Sequence, residues 1–272
     1  MKFSVLMSIY YKEKAEYFDR CMQSIWDEQS VKPDEIVLVQ DGRLTDALYE
    51  TINKWKERLG DSFKAIPLEK NVGTGKAKNI GLQECKYELI AIMDTDDISR
   101  RDRFEKQLKV FENANIDVCS SWVGEFEKDE NTIVSYRKLP ENHNEIISFA
   151  KKRMPVNHPA TMYKKSIALK VGGYMHMLWF EDYYLMVRMI LNGAKFYNIP
   201  ESLVNMRAGY GQLERRSGIK YALSELALQK EFLKLGFINP YEFIRNVMIR
   251  FVVRIVPKSL VKMIYKRLRD NG

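Results

Sequence analysis

Three short stretches of the chain are apolar almost throughout: FSVLMSI at residues 3–9, EIVLVQ at 35–40 and ELIAIM at 88–93. They do not alternate apolar with polar residues, so as strands they need cover on both faces. A parallel sheet between two helical layers supplies it. The segments between them fit that demand. Residues 15–28 place Phe18, Met22, Ile25 and Trp26 at helical spacing, 46–58 and 75–85 also read as helices, and FKAIPL at 63–68 reads as a weaker strand. Buried strands alternating with helices predict an α/β fold with a mostly parallel central sheet flanked by helices.

The second half is less regular. Residues 117–139 are expected to hold two or more strands, and 140–180 a helix, the loop MPVNHPATMYKKS and a Gly-Gly turn at 172–173. EDYYLMVRMILNG at 181–193 reads as a helix with acids in its first turn and Gly193 as its stop. Residues 217–235 and 240–268 are helical, the latter basic. A chain of 272 residues suits one larger domain with an appendage, here 1–216 followed by a helical region 217–272.

Charge narrows the partners. The net charge is +8, yet the stretch from Phe243 onward holds eight basic residues and one acid, leaving the rest at +1. A diffusely basic body would point to nucleic acid; a near-neutral body with a basic tail points to a local partner surface, with no nucleic acid. Cys21, Cys85 and Cys119 form no C-x-x-C pair, and the N-terminus shows no small-residue cleavage site, so reduced thiols in the cytoplasm are expected. No run of eighteen uncharged apolar residues marks a membrane span.

In parallel sheets ligands gather beyond the carboxyl ends of the strands. Three strands end there on polar residues: Tyr10-Tyr11, Asp41-Gly42 and Asp94-Thr95-Asp96-Asp97. Three acids within four residues raise one another's pKa unless a cation compensates. A hard divalent cation, Mn²⁺ or Mg²⁺, takes such oxygens and shares phosphate oxygens with a substrate. The simpler alternative is a cap for the next helix, expected near Arg100, with Asp97 or Ser99 in that role.

EKNVGTGKAKNIGL at 69–82 lacks the P-loop spacing, having Lys70 and Ala77 where that pattern needs glycine and Ser or Thr. Its glycines still permit close approach to a helix N-terminus, with Lys76 or Lys78 to neutralise a phosphate. Glu181-Asp182 at a helix start either suits the helix dipole or supplies a carboxylate base. His158 is one of three histidines and is either structural or part of the site. VNMRAGYGQLERRSG at 204–218 gathers Arg207, Arg215 and Arg216 around glycines, as an exposed basic loop or as anion ligands.

Taken in order, SVLMSIYYKE, EIVLVQDG, NVGTGKAKNIGL, AIMDTDD and FEDYYLMVRMILNG resemble the family 2 glycosyltransferases of GT-A fold over roughly residues 1–235, among them enzymes of bacterial exopolysaccharide, capsule and O-antigen synthesis. The resemblance implies inverting transfer of a sugar from a nucleotide-diphosphate donor, a UDP-hexose or UDP-N-acetylhexosamine, to a glycan hydroxyl, typically on a lipid-linked acceptor. It implies nucleotide contacts from Ser8, Tyr10, Asp41, Lys78 and Asp94, with Asp41 on the uracil edge. Asp96, with Asp94, would hold the metal, and Asp182, beside Glu181, would be the general base. His158, Arg207, Arg215 and Arg216 would face the acceptor or the diphosphate. Lys78 stands where the family usually has arginine, Ser8 where it has proline and Arg43 where it has serine.

Two other classes compete. A sugar-1-phosphate nucleotidyltransferase should carry a glycine-rich signature near the first strand, and MSIYYKEK contains no glycine. A non-catalytic sugar-nucleotide or membrane-binding module has no need of two acidic pairs. In the tail, basic residues at 245, 250, 254, 258, 262 and 266 interrupt an apolar run. Central arginines disfavour a spanning helix by roughly 2.5–3.5 kcal/mol each. The expectation is a helix lying on an anionic membrane surface through residues 240–272, peripheral on the inner face of the cell membrane; the alternative is a helix packed on the core.

Overall fold

The computed structural model describes residues 1–113, 115–208 and 218–255, with side chains to residue 250. Its larger compact unit comprises Met1–His176 and Glu181–Ala208. Here β1 (Phe3–Ile9), β2 (Glu35–Gln40), β3 (Phe63–Pro67) and β4 (Leu89–Ile92) alternate with α1 (Ala15–Met22), α2 (Asp46–Leu59) and α3 (Thr74–Glu84). These strands are all parallel, in the order β3-β2-β1-β4. Side chains alternate between the faces of a strand, and both faces are apolar. Val5, Met7, Ile36, Leu38 and Ala91 join Phe18, Trp55 and Phe104 in one core layer. Leu6, Val37, Val39, Ile90 and Ile92 join Leu82, Leu185 and Met186 in the other.

The expectation of a mostly parallel sheet holds only for that first half. Next come β5 (Ile98–Ser99), α4 (Arg103–Asn113), β6 (Val118–Phe126), β7 (Ile133–Arg137), α5 (His143–Ala150), β8 (Met162–Lys164), α6 (Lys165–Lys170), α7 (Glu181–Leu191) and β9 (Phe196–Arg207). β8 pairs antiparallel with both β4 and β6, β7 with β6, and β5 with β9; only β6 and β9 run parallel. The sheet is mixed because β8 sits in the loop MPVNHPATMYKKS and reverses direction between β4 and β6. The helix expected near Arg100 starts at Arg103, since β5 intervenes.

The second unit comprises Met177–Phe180 and the described residues from Gly218. Helices α8 (Ile219–Lys234) and α9 (Pro240–Ile255) pack together. Their seam is polar: Asn246 Nδ2 donates to Gln229 Oε1 at 2.9 Å, and Arg250 pairs with the buried Glu225. Arg250 thus turns toward α8, because Glu225 offers a carboxylate across the helix pair. Tyr241, Ile244, Met248 and Ile249 of α9 are exposed. No helix among the described residues is long and apolar enough to cross a membrane. The rest of the tail, from 256, lies outside the described residues.

Candidate active site

The ends of β2, β1 and β4 lie side by side. Asp41 N donates to Ile9 O at 2.7 Å, Leu6 faces Ile92, and Met93 N donates to Leu6 O at 3.2 Å, so Asp94 follows at once where β4 leaves β1. Ser8 and Tyr10 are half-buried there. Asp41 accepts from Val72 N at 2.6 Å and Gly73 N at 3.1 Å, one bond to each carboxylate oxygen. It thereby holds the glycine-rich loop in place. Gly42, at φ +85°, is required by the same approach, because a Cβ would lie 2.7 Å from Asn71 N.

Lys78 is buried on α3, and its Nζ lies 2.8 Å from Asp94 Oδ1. Desolvation opposes the Asp94 charge, but Lys78, His158 and Arg103 together outweigh it and hold the carboxyl below its ordinary value. Asp96 goes the other way: desolvation, then Glu13 and Asp94, push it up to about 7. Glu13 was not singled out by sequence; it reaches this turn by accepting from Thr95 Oγ1 at 2.7 Å. Asp97 is buried, and its Oδ1 accepts from Arg207 N at 2.8 Å, so it does not cap α4. Burial, with Asp96 and Asp94 nearby, raises its pKa well above the usual carboxylate range. Ser99 is likewise a strand residue, in β5, and not a cap.

These hard oxygen donors fit a divalent cation in chemistry and in crowding. Among the described residues no three His, Cys, Asp or Glu side chains close around one point. That suits a cation which takes one or two carboxylates and completes its shell with water and substrate phosphate. Arg207 Nε donates to Asp96 O at 3.2 Å, and its guanidinium carbon lies 3.8 Å from the centre of the Tyr17 ring and 4.6 Å from that of Phe126. Stacking between two rings fixes the cation's direction. Arg215 and Arg216 lie outside the described residues.

His158 enters from β8. Ile92 N donates to Thr161 O at 2.8 Å, which carries the turn at His158–Ala160 to the end of β4. Burial and then Lys78 push the imidazole pKa down to about 4, while Asp182 and Asp94 oppose the shift. The ring is neutral near pH 7, with Nε2 2.9 Å from Tyr174 Oη. Beneath this turn, the fully buried Arg103 donates to Ile92 O at 2.8 Å and to Gln107 Oε1 at 3.0 Å, and Gln107 donates to Ala160 O at 2.9 Å. Burial lowers the Arg103 pKa to about 10, so it remains a cation below the acids. Only its four-residue spacing from Gln107 hinted at this pair.

Asp182, in the first turn of α7, accepts from Tyr183 N at 2.7 Å through Oδ1. Its Oδ2 has no hydrogen-bond partner among the described residues, which leaves its lone pairs able to accept a proton. Desolvation, then Asp182, raise the pKa of Glu181. The site therefore combines acids beside a lysine at the strand ends with a second carboxylate pair on α7.

The architecture is the GT-A fold. The S. aureus enzyme TarS, residues 1–349 in complex with UDP-GlcNAc, superposes with a TM-score of 0.70 at 17% identity, covering 93% of this chain and 73% of that one. The Pyrobaculum calidifontis mannosyltransferase PcManGT, with GDP-Man and Mn²⁺, gives 0.66 at 17% identity over 91% of this chain and 68% of its own. Residues 4–172 match glycosyl transferase family 2, and the chain belongs to that family. It is 39% identical to the Escherichia coli UDP-Gal:alpha-D-GlcNAc-diphosphoundecaprenol beta-1,3-galactosyltransferase over 98% of this chain and 96% of that protein. It is 37% identical to the amylovoran biosynthesis glycosyltransferase AmsE of Erwinia amylovora over 99% and 100%. Family membership sets aside the nucleotidyltransferase alternative.

Proposed function

We propose that the protein is an inverting glycosyltransferase of bacterial surface polysaccharide synthesis. It moves a sugar from a UDP-hexose or UDP-N-acetylhexosamine to a hydroxyl of a lipid-linked glycan. The observation that carries this reading is the pairing of the Asp94–Asp96 cluster, partnered by Lys78, with an Asp182 carboxylate whose one hydrogen bond among the described residues falls on Oδ1. Likeness to the E. coli galactosyltransferase, whose substrate is a diphosphoundecaprenol, supports the donor and acceptor classes.

In this reading Ser8, Tyr10 and Asp41 meet the nucleotide base. An ionised carboxylate has about four lone-pair sites, so the two backbone bonds of Asp41 leave it capacity to accept from the uracil edge. The acceptor hydroxyl attacks the anomeric carbon from the face opposite the diphosphate. The new C–O bond forms as the bond to the diphosphate breaks, and the hydroxyl proton passes to Asp182, with Glu181 beside it. Mn²⁺ or Mg²⁺ held by Asp96 and Asp94 would neutralise charge on the departing diphosphate. Lys78, His158, Arg207, Arg215 and Arg216 complete the donor and acceptor surroundings.

The division at 216/217 belongs to the same proposal. The region 217–272 attaches the enzyme peripherally to an anionic membrane on its cytoplasmic face. The exposed Tyr241, Ile244, Met248 and Ile249 and the net +7 from Phe243 onward support it. The test of the reaction is a screen of nucleotide sugars with Mn²⁺ and a short-chain lipid-diphosphate GlcNAc acceptor. Acceptor-dependent UDP release with one donor supports the reading; no nucleotide release with any donor sinks it.

A further inference from the structure

Helix α3 carries one face that touches the end of β4, the start of α7 and the Gly172–Tyr174 turn. Gly75, Lys78, Asn79 and Leu82 fall at helical spacing i, i+3, i+4 and i+7, so they share that face. Lys78 holds Asp94, at the end of β4. One turn earlier, Gly75 lies under the side chain of Glu181. A Cβ built on Gly75 would fall 2.5 Å from Glu181 Cγ and 2.8 Å from its Cβ. One residue after Lys78, Asn79 Oδ1 accepts from Tyr174 N at 2.9 Å. Gly173, at φ +63°, has no room for a Cβ, which would run into the same Asn79 oxygen. Tyr174 in turn bonds His158, so the Asn79 contact also bears on the imidazole.

We infer that Gly75 and Asn79 are positioning residues, which with Lys78 set the start of α7 and the His158 ring against Asp94. Neither touches substrate in this account. Asn79 acts as an acceptor that pins the Gly172–Tyr174 turn, and Gly75 acts by lacking a side chain where Glu181 must lie. The glycine-rich stretch that failed as a phosphate loop is thus a spacer between the two acidic sets. The inference rests on the reading of Asp182 as base only for its effect on turnover.

The test compares Gly75→Ala, Asn79→Leu and Asn79→Asp in the full-length chain. Alanine has the higher helix propensity, which offsets part of the cost of displacing Glu181, so Gly75→Ala should lower Tm by no more than a few degrees while kcat falls tenfold or more. Asn79→Leu should lower kcat tenfold or more, with UDP–Mn²⁺ affinity within twofold of wild type. Asn79→Asp, which keeps an acceptor oxygen, should recover most of that loss. Hydrogen exchange at the Tyr174 amide needs no turnover; it should be tenfold faster in Asn79→Leu and near wild type in Asn79→Asp. Wild-type kcat in either Gly75→Ala or Asn79→Leu overturns the inference. So does loss of UDP affinity in step with kcat, or equal behaviour of Leu and Asp at position 79. If Asn79→Leu does not fold, Gly75→Ala and Asn79→Asp decide. Asp182→Asn run alongside separates the two claims: full activity there removes the base reading, while the spacer stands or falls on positions 75 and 79.

Discussion

Lys78 and Asp94 are joined through an ion pair of 2.8 Å in which the lysine side chain is 4% exposed and the carboxylate 42%. The pair is therefore asymmetric. Replacing Lys78 with methionine leaves Asp94 unpaired but still in reach of water, not stranded in a dry core. Lys78→Met should lower UDP–Mn²⁺ affinity about tenfold by calorimetry, while Tm falls only a few degrees, the response to about 1 kcal/mol in a chain of this size. Lys78→Arg, which restores a cation, should recover most of the affinity.

Asp96 sits among Glu13, Asp94 and Asp97, and the crowding disfavours its charge. Asp96→Asn should abolish transfer yet leave the metal-free Tm unchanged or a few degrees higher. Full transfer by this variant, or wild-type transfer undiminished by exhaustive EDTA, would remove the metal role.

His158 links stability to pH. Its folded pKa, about 4, lies below the ordinary value of 6.5, so the unfolded chain binds more protons between those limits. Stability from this group is present above about pH 6.5 and is lost as pH falls toward 4. Thermal melts of wild type and His158→Phe, both with UDP–Mn²⁺ bound, should show the wild type losing ground to the variant between pH 7.5 and 5. A pH-independent difference would mean that His158 is not held neutral.

Much of the first half was legible. Strands apolar on both faces announce cover on both faces, and β1, β2 and β4 lie where the residues placed them. β5 has two residues and β8 three, too short to show any period. Strand direction is not a local property either, so the mixed second half went unread. In the site, DTDD was conspicuous, but Asp97 resembled a cap because its partner, Arg207 N, lies 110 residues away. Lys78 reads as a cation for a phosphate, and its ion pair with Asp94 went unread because that partner lies 16 residues away, beyond α3.

The tail proposal has a separate test. Full-length protein should float with liposomes containing anionic lipid at low salt, and a version truncated after Asn239 should not. Salt should weaken the association as it screens the basic residues. Equal flotation of the two, or none by the full-length chain, would contradict attachment through 240–272.

The reading of Asp182 as base is tested most directly by the single-turnover transfer rate of Asp182→Asn at saturating donor, acceptor and Mn²⁺. Asparagine keeps the size of the side chain and an oxygen for Tyr183 N, but cannot take the acceptor proton. General-base catalysis contributes typically about 10²–10⁴-fold. The account predicts a rate lowered by about that factor, with UDP–Mn²⁺ affinity unchanged. A rate within a few-fold of wild type would contradict it.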